Sequence, residues 1–404
     1  MDTKRRQGIA ILAACTLATT TWAETARFTQ DRFAIGFWVD PPAGEDMGAR
    51  YAEIAEAEFT LVIGGFGAKT PETVQRQLEL CRKHGLRAIV AMAGLGPEQL
   101  PDVPACWGYC VRDEPNARDF LALRAQVDAI RKARPGRLAY INLFPNYASA
   151  AQLGTATYDE HVRRFVEEVD VDVLSMDHYP LMRPDADGRD AYCRNLETMR
   201  QVSLAAKIPF WNFFNTMPFG PHSDPTEAQL RWQIYTSLAY GAKGVLYFCY
   251  WTPRGDEFPK GGAIITADGR RTRHYDQAAR INFGLKNLGP TLMHLTSTGV
   301  YRIRPKDDPA SVLTGTAVRR LTPGEYLIGT FRHADGRRAV LLNNYHFAYT
   351  AWPTVEFDCD QSKVVEIDPT TGRDTPVLDD SPAMSGLQLS IDAGAGRLFL
   401  LPGK

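Results

Sequence analysis

The sequence predicts an α/β protein in which a (β/α)8 TIM barrel is followed by a small all-β sandwich. From residue 32 to 290, eight strand-like segments alternate with helix-like segments, which is typical of a barrel of parallel strands. After residue 296, short alternating runs separated by turn signals such as Asp335-Gly336 replace the helical pattern. No glycine-rich dinucleotide fingerprint follows the first strand, so a doubly wound open sheet is the weaker alternative.

Each barrel strand is predicted from a short run rich in β-branched and aromatic residues. The strand candidates are Phe33–Val39, Phe59–Ile63, Arg87–Met92, Trp107–Val111, Leu138–Phe144, Val171–Met176, Pro209–Phe214 and Gly244–Tyr250. Helices are predicted between them at Glu72–His84, Ala117–Ala133, Tyr158–Glu168, Tyr192–Lys207, Asp224–Ala242 and Tyr275–Leu288. The sandwich strands are predicted at Gly299–Ile303, Tyr326–Arg332, Arg338–Asn343, Val364–Ile367, Leu387–Ile391 and Arg397–Leu400.

We expect three segments along the chain: a signal peptide over residues 1–23, the barrel over 30–296 and the sandwich over 297–404. A basic start at Lys4–Arg6, an apolar stretch from Gly8 and small residues before Ala23 predict export, to the periplasm or the medium. The run ending at Cys15 also resembles a bacterial lipobox, which would make that cysteine a lipid anchor. Simple cleavage near Ala23 is the favoured alternative.

Composition narrows the classes of partner. A formal net charge of -1 favours neither a nucleic-acid partner nor an anionic membrane surface. After the signal peptide, no run approaches the ~20 apolar residues of a transmembrane segment. The 7 cysteines lack paired CxxC spacing, and the 8 histidines form no HxH or HExxH pattern, so we expect neither a metal nor another cofactor. The sequence does not determine the oligomeric state.

Two adjacent acids stand where the fourth strand ends. The segment WGYCVRDEPN runs from aromatic and apolar residues into Asp113 and Glu114, and Pro115 then stops the strand. An ionised carboxylate loses hydration at the end of a buried strand, which is costly unless the group is used. In a barrel, that end belongs to the active-site face.

Polar and aromatic residues follow other predicted strands in the same way. The candidates for contact with a substrate are Trp38, Asp40, Asn142, His178, Tyr179, Asn212, Asn215 and Trp251, and Asp177 is a further acid. Tryptophans in this position could stack on sugar rings, although packing in the core would explain each of them equally well.

Carboxyl groups at the barrel mouth favour the cleavage of glycosidic bonds. That reaction needs a proton donor for the leaving oxygen and a second group that attacks or stabilises the developing cation. Glu114 is the predicted general acid, since neighbouring acids and an apolar wall should raise its pKa. Either Asp177 acts as the nucleophile or as the base for water, or Asp113 orients a 2-acetamido group that attacks in its place.

The order WGYCVRDEP, VLSMDHYP and QLRWQIYTSLAYGAKGVLYFCYWTP resembles barrel-type glycoside hydrolases of the clan-A, β-galactosidase-like superfamily. The resemblance implies a retaining or inverting glycosidase with Glu114 as acid. That superfamily carries Asn-Glu at strand 4 and a nucleophilic Glu at strand 7, whereas PFWNFFNTM contains no acid. The Asp113-Glu114 pair is similar to some hexosaminidase families, in which the Asp assists the acetamido group.

The sequence therefore predicts an exported glycoside hydrolase that acts on an oligo- or polysaccharide. A substrate-assisted hexosaminidase is one alternative. A non-catalytic carbohydrate-binding protein on a degenerate barrel is the other, because the strand-7 acid is missing.

Overall fold

A computed structural model describes residues 26–183, 186–258 and 262–403 of the chain. The predicted signal peptide, its cleavage site and the possible lipid anchor at Cys15 lie outside the described residues. No helix within those described ranges is long and apolar enough to cross a membrane. The six cysteines of the described ranges are all free.

Eight parallel strands form a nearly closed barrel, which confirms the predicted fold class. The strands are β1 Ala34–Phe37, β2 Leu61–Ile63, β3 Arg87–Ala91, β4 Cys106–Asp113, β5 Leu138–Leu143, β6 Leu174–Asp177, β7 Phe210–Asn215 and β8 Gly244–Phe248. Their hydrogen-bonded order is β1-β8-β7-β6-β5-β4-β3-β2. At the remaining seam, the amide of Thr60, just before β2, donates to Ile35 O of β1 at 2.9 Å.

Helices surround the barrel on its outer face. They are α1 Met47–Glu56, α2 Pro71–His84, α3 Phe120–Ala133, α4 Ala150–Leu153, α5 Tyr158–Val169, α6 Arg189–Ala206, α7 Glu227–Ala239 and α8 Arg273–Met293. Helix α1 was not predicted, because only Tyr51 and Ile54 of its ten residues are buried and its apolar stripe is short. Helix α7 was predicted to start at Asp224 but begins at Glu227. Thr226 caps this helix by accepting from the Gln229 amide, while Asp224 accepts from His274 Nε2 at 2.8 Å.

Large aromatic side chains fill the lower interior of the barrel. The Trp107 and Trp211 rings stack with centroids 6.0 Å apart, and Tyr140 stacks on Trp211 at 5.9 Å. Gly244 makes room for this layer, since a Cβ there would lie 2.6 Å from the Trp211 ring. The filled interior is a packed floor, so a substrate can reach only the mouth of the barrel.

The carboxyl-terminal strands form two antiparallel sheets around a second apolar core. The strands are β9 Leu295–Ile303, β10 Val318–Leu321, β11 Tyr326–His333, β12 Arg338–Asn344, β13 Thr354–Phe357, β14 Val365–Ile367, β15 Asp374–Pro376, β16 Leu387–Gln388 and β17 Gly396–Leu401, with a one-turn helix α9 at Pro309–Val312. One sheet has the order β10-β13-β16 and the other β15-β14-β17-β12-β11-β9. Strands β10, β13 and β15 were not predicted. In β10 two exposed arginines interrupt the apolar pattern.

The sandwich packs against helix α7 of the barrel. Asn343 Nδ2 donates to Tyr235 O of that helix at 2.7 Å. Gly329 of β11 approaches the end of the helix so closely that a Cβ would lie 2.5 Å from Ala239 O. The interface between the sandwich and helix α7 therefore requires glycine at position 329.

We predict that Gly329→Ala lowers the free energy of unfolding by about 1–3 kcal/mol, because the added methyl group must displace backbone rather than a flexible side chain. Chemical denaturation measures the effect. Gly44→Ala is the matched control, since a Cβ at Gly44 meets no atom within 4 Å. Equal stability of the two variants would contradict the close packing of the sandwich on α7.

Candidate active site

The mouth of the barrel brings six predicted site residues together: the aromatic residues Trp38 and Tyr179 and four polar residues. Asp113 and Glu114 come from the end of β4, Asn142 from β5 and Asp177 from β6. They line a cleft of about 340 Å³ whose wall consists of Trp38, Asp113, Glu114, Asn142, Asp177, Tyr179, Phe213, Phe219, Phe248, Glu257 and Phe258. Strand β4 was predicted to end at Val111 but continues to Asp113, which pairs with Asn142 after a bulge.

The Asn142 amide lies between two carboxyl groups. Its Nδ2 donates to Asp177 Oδ1 at 2.9 Å and to Asp113 Oδ1 at 3.2 Å. Its Oδ1 accepts from Ser175 Oγ at 3.0 Å, and this hydroxyl contacts Tyr140 OH at 3.0 Å. The chain of hydrogen bonds fixes the amide so that its donor faces the acids.

Glu114 has a strained backbone at the cleft. Its φ is 45°, in the left-handed region, although it precedes Pro115 and is not a glycine. Its amide donates to Asn142 O at 2.8 Å, which holds the unusual conformation in place. Non-glycine residues in this region cost on the order of 1 kcal/mol or more and occur preferentially at functional sites.

The carboxyl groups of Glu114 and Asp177 form a hydrogen-bonded pair. Burial and then the nearby charge of Asp113 raise the pKa of Glu114 to about 7, while the bond to Asp177 opposes this rise. Burial raises the pKa of Asp177 well above its usual value, and the charges of Glu114 and Asp113 add to the shift. Both carboxyls therefore hold protons above their ordinary pH ranges, and the two groups titrate as a coupled pair.

Asp113 stands at the rim beside this pair. The residue is exposed, but surrounding protein still withdraws water from its carboxyl and raises its pKa. The bond from Asn142 opposes that shift. Tyr147, which follows β5, lies close enough to Asp177 and Glu114 for their charges to raise the pKa of its hydroxyl, after the larger effect of burial.

Aromatic side chains from several loops line the rest of the cleft. The Trp38 ring meets the Phe213 ring edge-on at 6.0 Å. The Tyr179 ring lies 5.2 Å from both Phe219 and Phe248. Of the lining residues, the phenylalanines and Glu257 were not predicted from the sequence. A phenylalanine beside a strand has no pattern that distinguishes a cleft wall from a core.

Asp40 lies behind the cleft and does not line it. Its buried carboxyl accepts from the amides of Phe66 at 2.7 Å, Ala68 at 3.1 Å and Gly67 at 3.2 Å. Burial raises its pKa to about 6, although the three amide bonds oppose the rise. This carboxyl holds the loop after β2, whose Phe66 ring meets Trp38 at 6.3 Å. Asp40 thus supports the cleft wall indirectly.

The structure places four other predicted contact residues away from the cleft wall. Trp251 is 5% exposed, and the Arg50 guanidinium covers its ring at 4.9 Å, so it offers no open platform. His178 Nδ1 contacts Asn195 Oδ1 at 3.0 Å, and burial lowers its pKa to about 4.

The two strand-7 amides also bond to the surrounding protein. Asn212 Nδ2 donates to Tyr192 OH at 2.7 Å and to Ser237 Oγ at 3.0 Å, on the side of the helices. Asn215 Nδ2 donates to Ser223 O at 3.3 Å. Neither amide lines the cleft in the described residues.

A larger cavity of about 590 Å³ lies at the opposite end of the barrel. Its single carboxylate, Asp172, is paired with Arg27 at 2.7 Å and Arg131 at 3.3 Å. The cavity also contains Lys243, whose pKa burial lowers to about 7, but its Nζ already donates to the carbonyl oxygens of Leu292 and Leu295. The mouth cleft is therefore the better candidate despite its smaller volume.

Solved structures of glycoside hydrolases share this fold. A catalytic mutant of Gan42B, a GH42 β-galactosidase from G. stearothermophilus, aligns at 10% identity over 93% of this chain and 99% of its own, with a TM-score of 0.61. A β-galactosidase from Bacillus circulans sp. alkalophilus aligns at 11% identity over 92% and 99%, with a TM-score of 0.58. A family 39 glycoside hydrolase from the gut symbiont Bacteroides cellulosilyticus WH2 aligns at 14% identity over 92% and 81%, with a TM-score of 0.52.

No protein-family model and no curated protein sequence matches the chain. At such low identities, the structural likeness establishes a common fold of barrel and sandwich. Arguments about activity must come from the residues of the cleft.

The raised pKa of Glu114 predicts a pH-dependent stability difference. Because the folded protein binds this proton more tightly than the unfolded chain, the stabilisation is full below the unfolded value of about 4.3 and is lost as pH rises through about 7. Relative to the wild type, Glu114→Gln should gain on the order of 1–3 kcal/mol in free energy of unfolding between pH 4 and pH 8.

Urea denaturation across this pH range measures the difference. Glu98→Gln is the control, since Glu98 is exposed and lies outside the cleft. Parallel stability curves for wild type and Glu114→Gln would contradict the raised pKa.

Proposed function

We propose that the chain is a glycoside hydrolase whose general acid is Glu114. The main observation in support is the hydrogen-bonded Glu114–Asp177 pair, which lies at the mouth of a barrel inside a cleft with aromatic walls. A carboxyl with a pKa of about 7 can hold a proton at neutral pH and give it to a leaving oxygen. Aromatic faces suit the apolar faces of sugar rings. The fold shared with known glycoside hydrolases adds support.

Asp177 is the proposed second group, as nucleophile or as base for water. This role requires an ionised Asp177 and a protonated Glu114, so one proton of the coupled pair must lie on Glu114. The bond between the two carboxyls supplies the path along which one proton can move from Asp177 to Glu114. The pair then has the protonation states that acid and nucleophile need.

Glycosidase geometry also requires the two carboxyls to separate. Retaining enzymes place them ~5–5.5 Å apart and inverting enzymes ~6.5–9.5 Å, which exceeds a hydrogen-bond distance. Asp177 is buried and held by Asn142, whereas Glu114 is only partly buried. We expect Glu114 to turn toward the glycosidic oxygen when substrate displaces it from Asp177.

The contact between Glu114 and Asp177 also favours the substrate-assisted alternative. If the two carboxyls do not separate, Asp177 only adjusts the pKa of Glu114. The nucleophile must then be another group. Asp113, held by Asn142 beside the pair, could then orient a 2-acetamido group of the substrate.

We predict that Glu114→Gln lowers kcat by about 10²- to 10⁴-fold, because an amide cannot donate the required proton. Hydrolysis of a panel of aryl glycosides and oligosaccharides measures it, with Glu98→Gln as control. Unchanged turnover in Glu114→Gln would refute its role as acid. If no sugar in the panel is cleaved by the wild type, but sugars still bind, the carbohydrate-binding alternative is correct.

Two further variants separate the mechanisms. Asp177→Asn should lose turnover on every substrate if Asp177 attacks or activates water. Asp113→Asn should lose turnover on 2-acetamido sugars alone if the substrate assists. Full activity of Asp177→Asn would exclude the direct mechanism.

We further propose that the protein is exported, on the basis of its first 23 residues. Expression in a bacterial host followed by mass spectrometry of the purified protein should give a mature chain beginning at Glu24. A full-length amino terminus in the cytoplasmic fraction, or a lipid-modified Cys15, would contradict simple cleavage.

A further inference from the structure

The cleft wall has an unusual chemical composition. Its eleven residues comprise six aromatic side chains, four carboxyl groups and one amide. None of these described lining residues is a lysine, an arginine or a histidine. A wall of carboxyls with no basic side chain among them produces a negative potential, which attracts cations and repels anionic sugars such as uronates.

Basic groups near the cleft offset this charge only in part. Burial raises the pKa of Asp113 and the charge of Arg112 opposes this rise, but Arg112 does not line the cleft, and its Nη2 lies 3.9 Å from Asp119 Oδ2. His222 packs against Phe219 at 4.6 Å, and burial lowers its pKa to about 4. Burial also lowers the pKa of His178 to about 4. Both histidines are therefore neutral at neutral pH.

The four carboxyl groups differ in the hydrogen bonds and ion pairs that they form. Asp113 and Asp177 accept from Asn142, and Glu114 is paired with Asp177. Glu257, in the loop after β8, forms no ion pair with any residue the structure describes. It stands beside Phe258, whose ring lies 6.1 Å from Phe219 and 6.3 Å from Phe248. One exposed carboxylate thus accompanies a cluster of aromatic rings.

A carboxylate combined with aromatic rings is well suited to an ammonium group. Ring faces attract a cation within about 6 Å, and a carboxylate accepts charge-assisted hydrogen bonds from it. A neutral sugar gains less from this wall. Its hydroxyl oxygens need donors, and apart from the protonated Glu114–Asp177 pair the lining side chains supply donors only at Asn142, Tyr179 and Trp38.

We propose that the cleft recognises a glycan unit with a free, protonated amino group, and that Glu257 is the carboxylate that selects it. The proposal rests on the proposed function and specifies its substrate class as an unacetylated amino sugar. An ammonium group in the cleft also stabilises ionised carboxylates, so it helps the pair to reach the state in which Asp177 is ionised.

A substrate series that varies only the C2 substituent tests the proposal. Aryl glycosides of glucosamine, glucose and N-acetylglucosamine, and their galacto counterparts, carry an amino, hydroxyl or acetamido group with the same leaving group. We expect kcat/KM for the amino sugar to exceed that of the other two by about tenfold or more, and the preference to shrink in 0.5 M salt. Equal or higher kcat/KM for the hydroxyl sugar would overturn the proposal.

Binding to Glu114→Gln provides an independent readout. Calorimetry with a glucosamine oligosaccharide and the matching glucose oligosaccharide should show tighter binding of the former. Equal binding overturns the amino-sugar proposal but leaves glycosidase function intact. Absence of both binding and hydrolysis across the series would reject both proposals.

Glu257→Gln tests the assigned carboxylate, with Asp256→Asn as the matched control. Asp256 is exposed on the same loop but does not line the cleft. The ratio of kcat/KM values for amino and hydroxyl sugars should fall about tenfold in Glu257→Gln and stay at the wild-type ratio in Asp256→Asn. An unchanged ratio in Glu257→Gln would overturn its role in selection.

Discussion

The Asn142 amide is the interaction on which the candidate site depends. One donor nitrogen bonds to both Asp113 and Asp177, and Ser175 fixes the amide from the opposite side. Without it, the carboxyls of Asp113 on β4 and Asp177 on β6, the two strands that flank β5, would have no donor between them. A buried carboxylate without a donor costs several kcal/mol or becomes neutral. The amide on β5 therefore allows acids from β4 and β6 to share a small space, and it keeps Asp177 in place beside Glu114.

The chemistry of the cleft follows from unequal burial of two bonded carboxyls. Asp177 is only 6% exposed, whereas Glu114 is half-buried and stands on a strained backbone. One proton of the coupled pair must lie on Glu114 for this residue to act as the general acid. Bound substrate alters where that proton lies. A ligand that separates the two carboxyls, or that carries positive charge, changes the pKa values of both Asp177 and Glu114. Substrate binding and the protonation of Glu114 are thus coupled through the hydrogen bond between Glu114 and Asp177.

Much of the fold could be predicted from the sequence because barrel strands are buried on both faces and appear as compact apolar runs. Acids directly after such runs, as at Asp113 and Asp177, were correctly expected at the mouth, since strand direction fixes their position. Contacts between distant segments could not be predicted. Arg50 covering Trp251, or a loop that brings Glu257 to the cleft, depends on packing with no local pattern. The bulge in β4, which sets Asp113 against Asn142, is likewise invisible in the sequence.

The proposed mechanism requires Glu114 to hold a proton near neutral pH. Carbon-13 NMR of the protein labelled at glutamate side-chain carboxyls, with Glu114→Gln used to assign the resonance, follows this group directly through a pH titration. A midpoint at about 7 that falls when Asp113→Asn removes the neighbouring charge is the expected result. A midpoint near the ordinary glutamate value of about 4.3 would contradict the account.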